Sequence, residues 1–139
     1  MLRTVVVGAD ASPTAAKAVE AAIDLVALSD GILHVVSAYK PVSRSTAGVP
    51  AEFRESIHPD SGVRSVLDEL TARARTRGVT VEAHDQRGDP AQAVLDVAER
   101  VAADVIVTGS QGMQRRVLSS IPNTIAHQAA CAVLIVKTD

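Results

Sequence analysis

Gly109-Ser110-Gln111-Gly112 follows directly on a short apolar run, Val105-Ile106-Val107-Thr108, and the chain then reaches a small-residue pair, Ser119-Ser120. The chemistry open to these residues is anion binding. Glycine takes positive φ and lets backbone N–H groups approach an anion with no Cβ in the way, and a helix starting just beyond adds partial positive charge. The stretch therefore reads as a phosphate cradle. It reads equally as a strand-to-helix turn that needs glycine for its own geometry, and these residues alone do not separate the two.

Other chemistries find less support. No G-x-G-x-x-G follows the first apolar run and no G-x-x-x-x-G-K-[ST] occurs, which counts against a dinucleotide dehydrogenase and a P-loop NTPase. G-x-S-x-G is absent as well, so Ser119 or Ser120 with His127 has only spacing in its favour as a hydrolase pair, and helix capping suits both serines better. His34, His58, His84 and His127 are scattered without i, i+4 pairing, so each is read as structural and no metal site is expected. Cys131 is the single cysteine, which leaves no internal disulfide and suits a small core residue. No positioned general base stands out, and no dedicated catalytic residue is expected.

Composition narrows the partners. The formal net charge is -2 and the aromatics are Tyr39 and Phe53, so there is neither a basic footprint nor a base-stacking platform, and nucleic acid is not expected. Met1 to Val7 is too short for a signal core and no apolar run approaches a membrane span. A cytoplasmic protein is the expectation.

Arg3 to Gly8 is a β-branched run without alternation, as in a strand covered on both faces, and Ser12-Pro13 then gives a helix cap with proline at the first helical position. Asp10 thus stands in a strand-to-helix loop. Apolar positions from Ala15 to Ala27 recur at helical spacing, and Ile32 to Ala38 is the second strand. Tyr39 to Ser61, with Pro41, Pro50 and Pro59, reads as a lid-like excursion with a short helix near Glu52 to Ser56. A helix over Gly62 to Arg77 and an alternating strand over Val79 to His84 follow; the alternation suits a wetter position near a sheet edge. Gly88-Asp89-Pro90 repeats the cap-and-proline signature, and a last helix from about Pro122 to Ala129 leads into the strand Ala132 to Val136.

Five strands alternating with four helices predict one α/β three-layer domain over residues 1–139, with a mainly parallel sheet and right-handed crossovers. Ligands of such sheets bind beyond the carboxyl ends of the strands. A phospho-acceptor receiver is a minority alternative, since Asp10, Asp85, Thr108 and Lys137 fall in roughly its positions. It lacks the acidic pair at the first strand, and only two residues follow Lys137.

Taken together, Val5 to Ser12, Leu33-His34-Val35-Val36, Gly109 to Gly112, Leu118 to Pro122 and Cys131 to Val136 resemble the universal stress protein (UspA-like) family over nearly the whole chain. The resemblance implies an adenine-nucleotide α-hydrolase-like fold with strand order 3-2-1-4-5, often a homodimer through the last strand. It implies Ala9 and Asp10 beside the adenosine, Val35 at the adenine, and a G-x2-G-x9-G-[ST] motif around ribose and phosphates, to which Gly109 and Gly112 correspond. Here six residues separate Gly112 from Ser119, which stands where the third glycine is expected, while Ser120 keeps the hydroxyl. The shorter loop encloses less of a triphosphate, and Arg115 or Arg116 would compensate as phosphate contacts.

What the resemblance implies for function is an adenine nucleotide, ATP or AMP in type and accompanied by Mg2+ where a triphosphate is held, bound as a regulatory ligand in a stress response. The alternatives are a dimeric stress or interaction module that binds no nucleotide, and a slow ATPase.

Overall fold

Three consecutive valines cannot sit on a sheet with one wet face, and Val5, Val6 and Val7 are indeed completely buried. They form β1, Thr4–Gly8, the middle strand of the sheet seen in a computed structural model that describes residues 2–9, 13–39, 61–110 and 121–137. The order of elements is β1, α1 (Pro13–Ser29), β2 (Ile32–Tyr39), α2 (Ser61–Thr76), β3 (Thr80–Arg87), α3 (Pro90–Arg100), β4 (Val105–Gly109), α4 (Ile121–Gln128) and β5 (Ala132–Val136). All five strands run parallel in the order β3-β2-β1-β4-β5, as the sequence led us to expect. Residues 40–60, including the short helix expected near Glu52, lie outside the described residues.

Alternate residues of the strands feed two cores. Val5, Val7, Leu33, Val35, Val105 and Val107 pack with α1 and α2 through Val19, Ile23, Leu67 and Leu70. Val6, Val36 and Ile106 face the other way, against Val94 and Val97 of α3 and Ile125 of α4. Each buried Val or Ile contributes about 1.5–3 kcal/mol, so the sheet is anchored from both sides.

Local signals account for the boundaries. Asp89 caps α3 by accepting from the Gln92 N–H at 3.1 Å, with Pro90 at the first helical position where no N–H is needed. Gly78 takes φ +75° and closes α2, its N–H donating to the Arg75 carbonyl at 2.9 Å. The strand β3 runs three residues beyond the expected end at His84, because Asp85, Gln86 and Arg87 keep pairing with Ser37, Ala38 and Tyr39. A polar tail on an edge strand stays solvated on its open side, so its composition does not betray its backbone pairing.

The amino end of β1 is tied to both neighbours. The Asp104 carboxylate accepts from the N–H groups of Arg3 at 3.1 Å and Thr4 at 2.9 Å, and these two bonds hold its pKa below the usual carboxylate value. On the other side the Arg3 carbonyl accepts from the Ile32 N–H at 2.9 Å, and Gly31 lies so close that a Cβ there would overlap that carbonyl oxygen. Gly31→Ala should therefore lower stability by about 1–3 kcal/mol, by displacing the start of β2 from β1. Urea denaturation checks this, and a variant as stable as the parent would show that the approach is relieved without cost.

Candidate functional site

The ladders of the sheet end unevenly at the carboxyl side of β1 and β4. β1 and β4 are paired through Val7 and Val107, whereas β1 stays with β2 to Gly8 and Val36, and β4 stays with β5 to Gly109 and Val136. One residue further on, the Ala9 N–H donates to the Val36 carbonyl at 2.8 Å and the Ser110 N–H to the Val136 carbonyl at 2.9 Å. Pairing between the two central strands thus stops before either strand leaves its outer neighbour. This is the topological switch point, where open parallel sheets take their ligands.

Of the residues singled out from the sequence, Ala9 and Gly109 stand on opposite sides of that switch point, and Thr108 and Ser110 beside Gly109 are buried. Val35 is completely buried in the core under α1 and α2. Asp10, Gly112, Arg115, Arg116, Ser119 and Ser120 lie outside the described residues. A separate groove of about 370 Å³ lies between α3, α4 and the start of β5, bounded by Leu95, Ala98, Ile106, Ala129 and Cys131. Its lining comes from α3, the end of α4, Ile106 and the segments that precede β4 and β5, not from the carboxyl ends of the strands, and burial pushes the Cys131 thiol up, away from the reactive thiolate form.

The fold also assembles a group of side chains whose members looked unrelated in the sequence. His34 on β2 is in register with Glu82 on β3, and Val36 with His84, so all three polar side chains share the face covered by α3. His34 Nδ1 lies 2.9 Å from His84 Nε2 and 3.5 Å from Glu82 Oε2, while Arg100 Nη2 of α3 lies 3.5 Å from His84 Nδ1. His34 is buried, His84 half-buried and Glu82 exposed. The signal was present only as position: each of His34 and Glu82 is third in its strand, which matters once those strands are known to pair in parallel.

The whole-chain comparisons agree with this architecture. A model of the universal stress protein family matches residues 1–137. The chain belongs to that family. It is 31% identical over 142 residues to the universal stress protein Rv1636 of Mycobacterium tuberculosis, covering 98% of this chain and 97% of the relative. It is 29% identical to the universal stress protein YxiE of Bacillus subtilis, covering 99% and 100%. Among solved structures, a universal stress protein in complex with cAMP is 32% identical, with a TM-score of 0.79 over 99% of this chain and 98% of that one. A universal stress protein family protein of Arabidopsis thaliana with AMP bound shares the fold, with a TM-score of 0.75 at 20% identity over 99% and 92%.

Burial lowers the pKa of both imidazoles, more than Glu82 raises them. Arg100 lowers both further, His34 also lowers His84, and Asp85 works in the opposite sense on His84. Their folded pKa values are thus below the unfolded value of about 6.5, and between the two the unfolded chain binds more protons than the folded one. The contribution of the two histidines to stability is therefore present above about pH 6.5 and is lost as the pH drops toward the folded values. Thermal melts from about pH 8 to about pH 5 should show this decline, and His84→Gln should flatten it. A variant profile parallel to the parent's would remove the histidine pair as its cause.

Proposed function

We propose that this universal stress protein binds an adenine nucleotide at the crevice between β1 and β4 and uses it as a regulatory ligand. The observation that carries the reading is the divergence of β1 and β4 beyond Val7 and Val107, with Ala9 on one side and Gly109 on the other. Chemistry at that place suits the ligand: Gly109 begins the glycine-containing segment, and Asp10 continues from Ala9. Nucleotide complexes within the fold supply further support, cAMP in the 32% identical relative and dAMP and AMP in more distant ones.

In this reading Ala9 and Asp10 meet the nucleoside, Val35 backs the adenine from the core, and Gly109 and Gly112 bring backbone N–H groups to the phosphate. Ser119 and Ser120 supply hydroxyl donors, and Arg115 and Arg116, from the same segment of sequence, are the charged partners for an anion. The shortened Gly112 to Ser119 segment favours a monophosphate over ATP with Mg2+. No side chain here is assigned to bond cleavage, so the ligand acts by being bound, in a protein that works in the cytoplasm.

Calorimetry with ATP, AMP and cAMP tests the site. AMP or cAMP should bind at least as tightly as ATP, and Gly112→Val should weaken binding by about tenfold or more, about 1.4 kcal/mol, while the melting temperature holds. Equal affinity in parent and variant would reject the crevice, and a hundredfold preference for ATP, about 2.7 kcal/mol, would reject the monophosphate reading.

The same reading includes a homodimer through β5. That strand lies at a sheet edge, Leu134 is 40% exposed, and Val133 and Ile135 are half-buried, an apolar edge of the kind a second copy covers across a two-fold axis. Sedimentation should give a dimer at micromolar concentration, and Ile135→Pro, which removes a ladder donor, should shift it toward monomer. A monomeric parent would defeat the assignment.

A further inference from the structure

The three polar side chains on β2 and β3, with Arg100 beside them, stand in positions that neither neutral tautomer arrangement of the two rings satisfies in full. Neutral imidazole carries one N–H and one lone pair. At 2.9 Å, His34 Nδ1 and His84 Nε2 need one of each. If the hydrogen is on His34 Nδ1, His84 must carry its own on Nδ1, which then meets the Arg100 guanidinium at 3.5 Å, donor against donor. If it is on His84 Nε2, the Arg100 contact is satisfied, but the lone pair of His34 Nδ1 faces the Glu82 carboxylate at 3.5 Å, acceptor against acceptor. Either arrangement of neutral rings leaves one pair mismatched.

We propose that His34 Nδ1, His84 Nε2 and the Glu82 carboxylate form a binding site for a divalent transition-metal ion, Zn2+ being the ion their chemistry fits best. Two imidazoles and one carboxylate are a recurring ligand set for zinc, with metal–ligand distances of about 2.0–2.2 Å and hence about 3.3–3.5 Å between neighbouring ligand atoms. The His34 to Glu82 separation of 3.5 Å already meets that requirement, and the two ring nitrogens need to part by about 0.4 Å from 2.9 Å. Each of the three residues offers a donor atom within 4.8 Å of the other two. Glu82 has an exposed side chain, 60% accessible, so it is free to swing onto an ion arriving from solvent, while buried His34 forms the fixed floor. A fourth position is left for water.

Arg100 decides whether the site is filled. With the ion bound, His84 gives its Nε2 lone pair to the metal and carries its hydrogen on Nδ1, so the guanidinium must leave. Arg100 and the cation therefore compete, and shortening Arg100 to a group that accepts from Nδ1–H should strengthen metal binding. The site is set apart from the nucleotide crevice, because His34 is paired with Val6 in the body of the sheet and its side chain is on the opposite face of β2 from Val35.

The test is equilibrium dialysis of tag-free protein against Zn2+, with Co2+ as a spectroscopic substitute. One ion per chain is expected, with visible Co2+ bands of a four-coordinate nitrogen and oxygen site and no thiolate charge-transfer band from Cys131. His84→Gln and Glu82→Gln, which spare the buried His34, should each weaken binding by about tenfold or more, and Arg100→Gln should tighten it. Circular dichroism melts confirm that the variants fold. No Zn2+ retained at millimolar concentration, equal retention in the parent and both ligand variants, or a thiolate band would each overturn the proposal.

Discussion

The carbonyl of Arg3 and the N–H groups of Arg3 and Thr4 hold the sheet in register. On one side Asp104 gathers two of those N–H groups just before β4; on the other, Gly31 comes against the carbonyl just before β2. Because side chains alternate along a strand, a slip of one residue at either junction would exchange the two cores and turn valines from one layer of helices to the other. The point at which β1 and β4 part at the far end follows from this. β1 and β4 are started together, and they separate after the same residue count, at Val7 and Val107.

Two helical layers then do different work. α1 and α2 cover a face that is apolar almost throughout and are linked by ion pairs, Arg73 to Glu20 at 3.2 Å and Arg77 to Asp24 at 2.9 Å. Those pairs are exposed, worth little each, and add orientation more than stability. The α3 side is apolar over β1 and β4 but becomes polar toward β3, where Arg100 meets the histidines. Burial there lowers the pKa of both rings and so disfavours their charged form, which favours hydrogen bonding and ligation as their chemistry.

Most of the fold was legible because its signals are local. An unbroken β-branched run gave β1, apolar residues at helical spacing gave α1 and α2, and Asp89-Pro90 marked the start of α3 within a residue. The far end of β3 was not legible, since Asp85-Gln86-Arg87 is strand only by virtue of its partner. The site divides in the same way. Ala9 and Gly109 could be placed at strand ends from spacing and family resemblance, but the meeting of His34 with His84 depends on pairing across fifty positions of sequence, which no window along the chain contains. Val35 illustrates a further limit: residue type marked it as apolar, whereas its complete burial is a property of the packed layers.

The two edges of the sheet are chemically unlike. β5 offers alanine, valine, leucine and isoleucine, while β3 offers Thr80, Glu82, Gln86 and Arg87 along a strand whose exposed members are largely polar. A sheet with two adhesive edges would add copies at both and grow into a filament, the hazard of every open parallel sheet. With one apolar edge and one polar edge, that symmetric hazard is removed by the order of the strands alone, because the polar face of β3 offers nothing for the apolar residues of β5 to match.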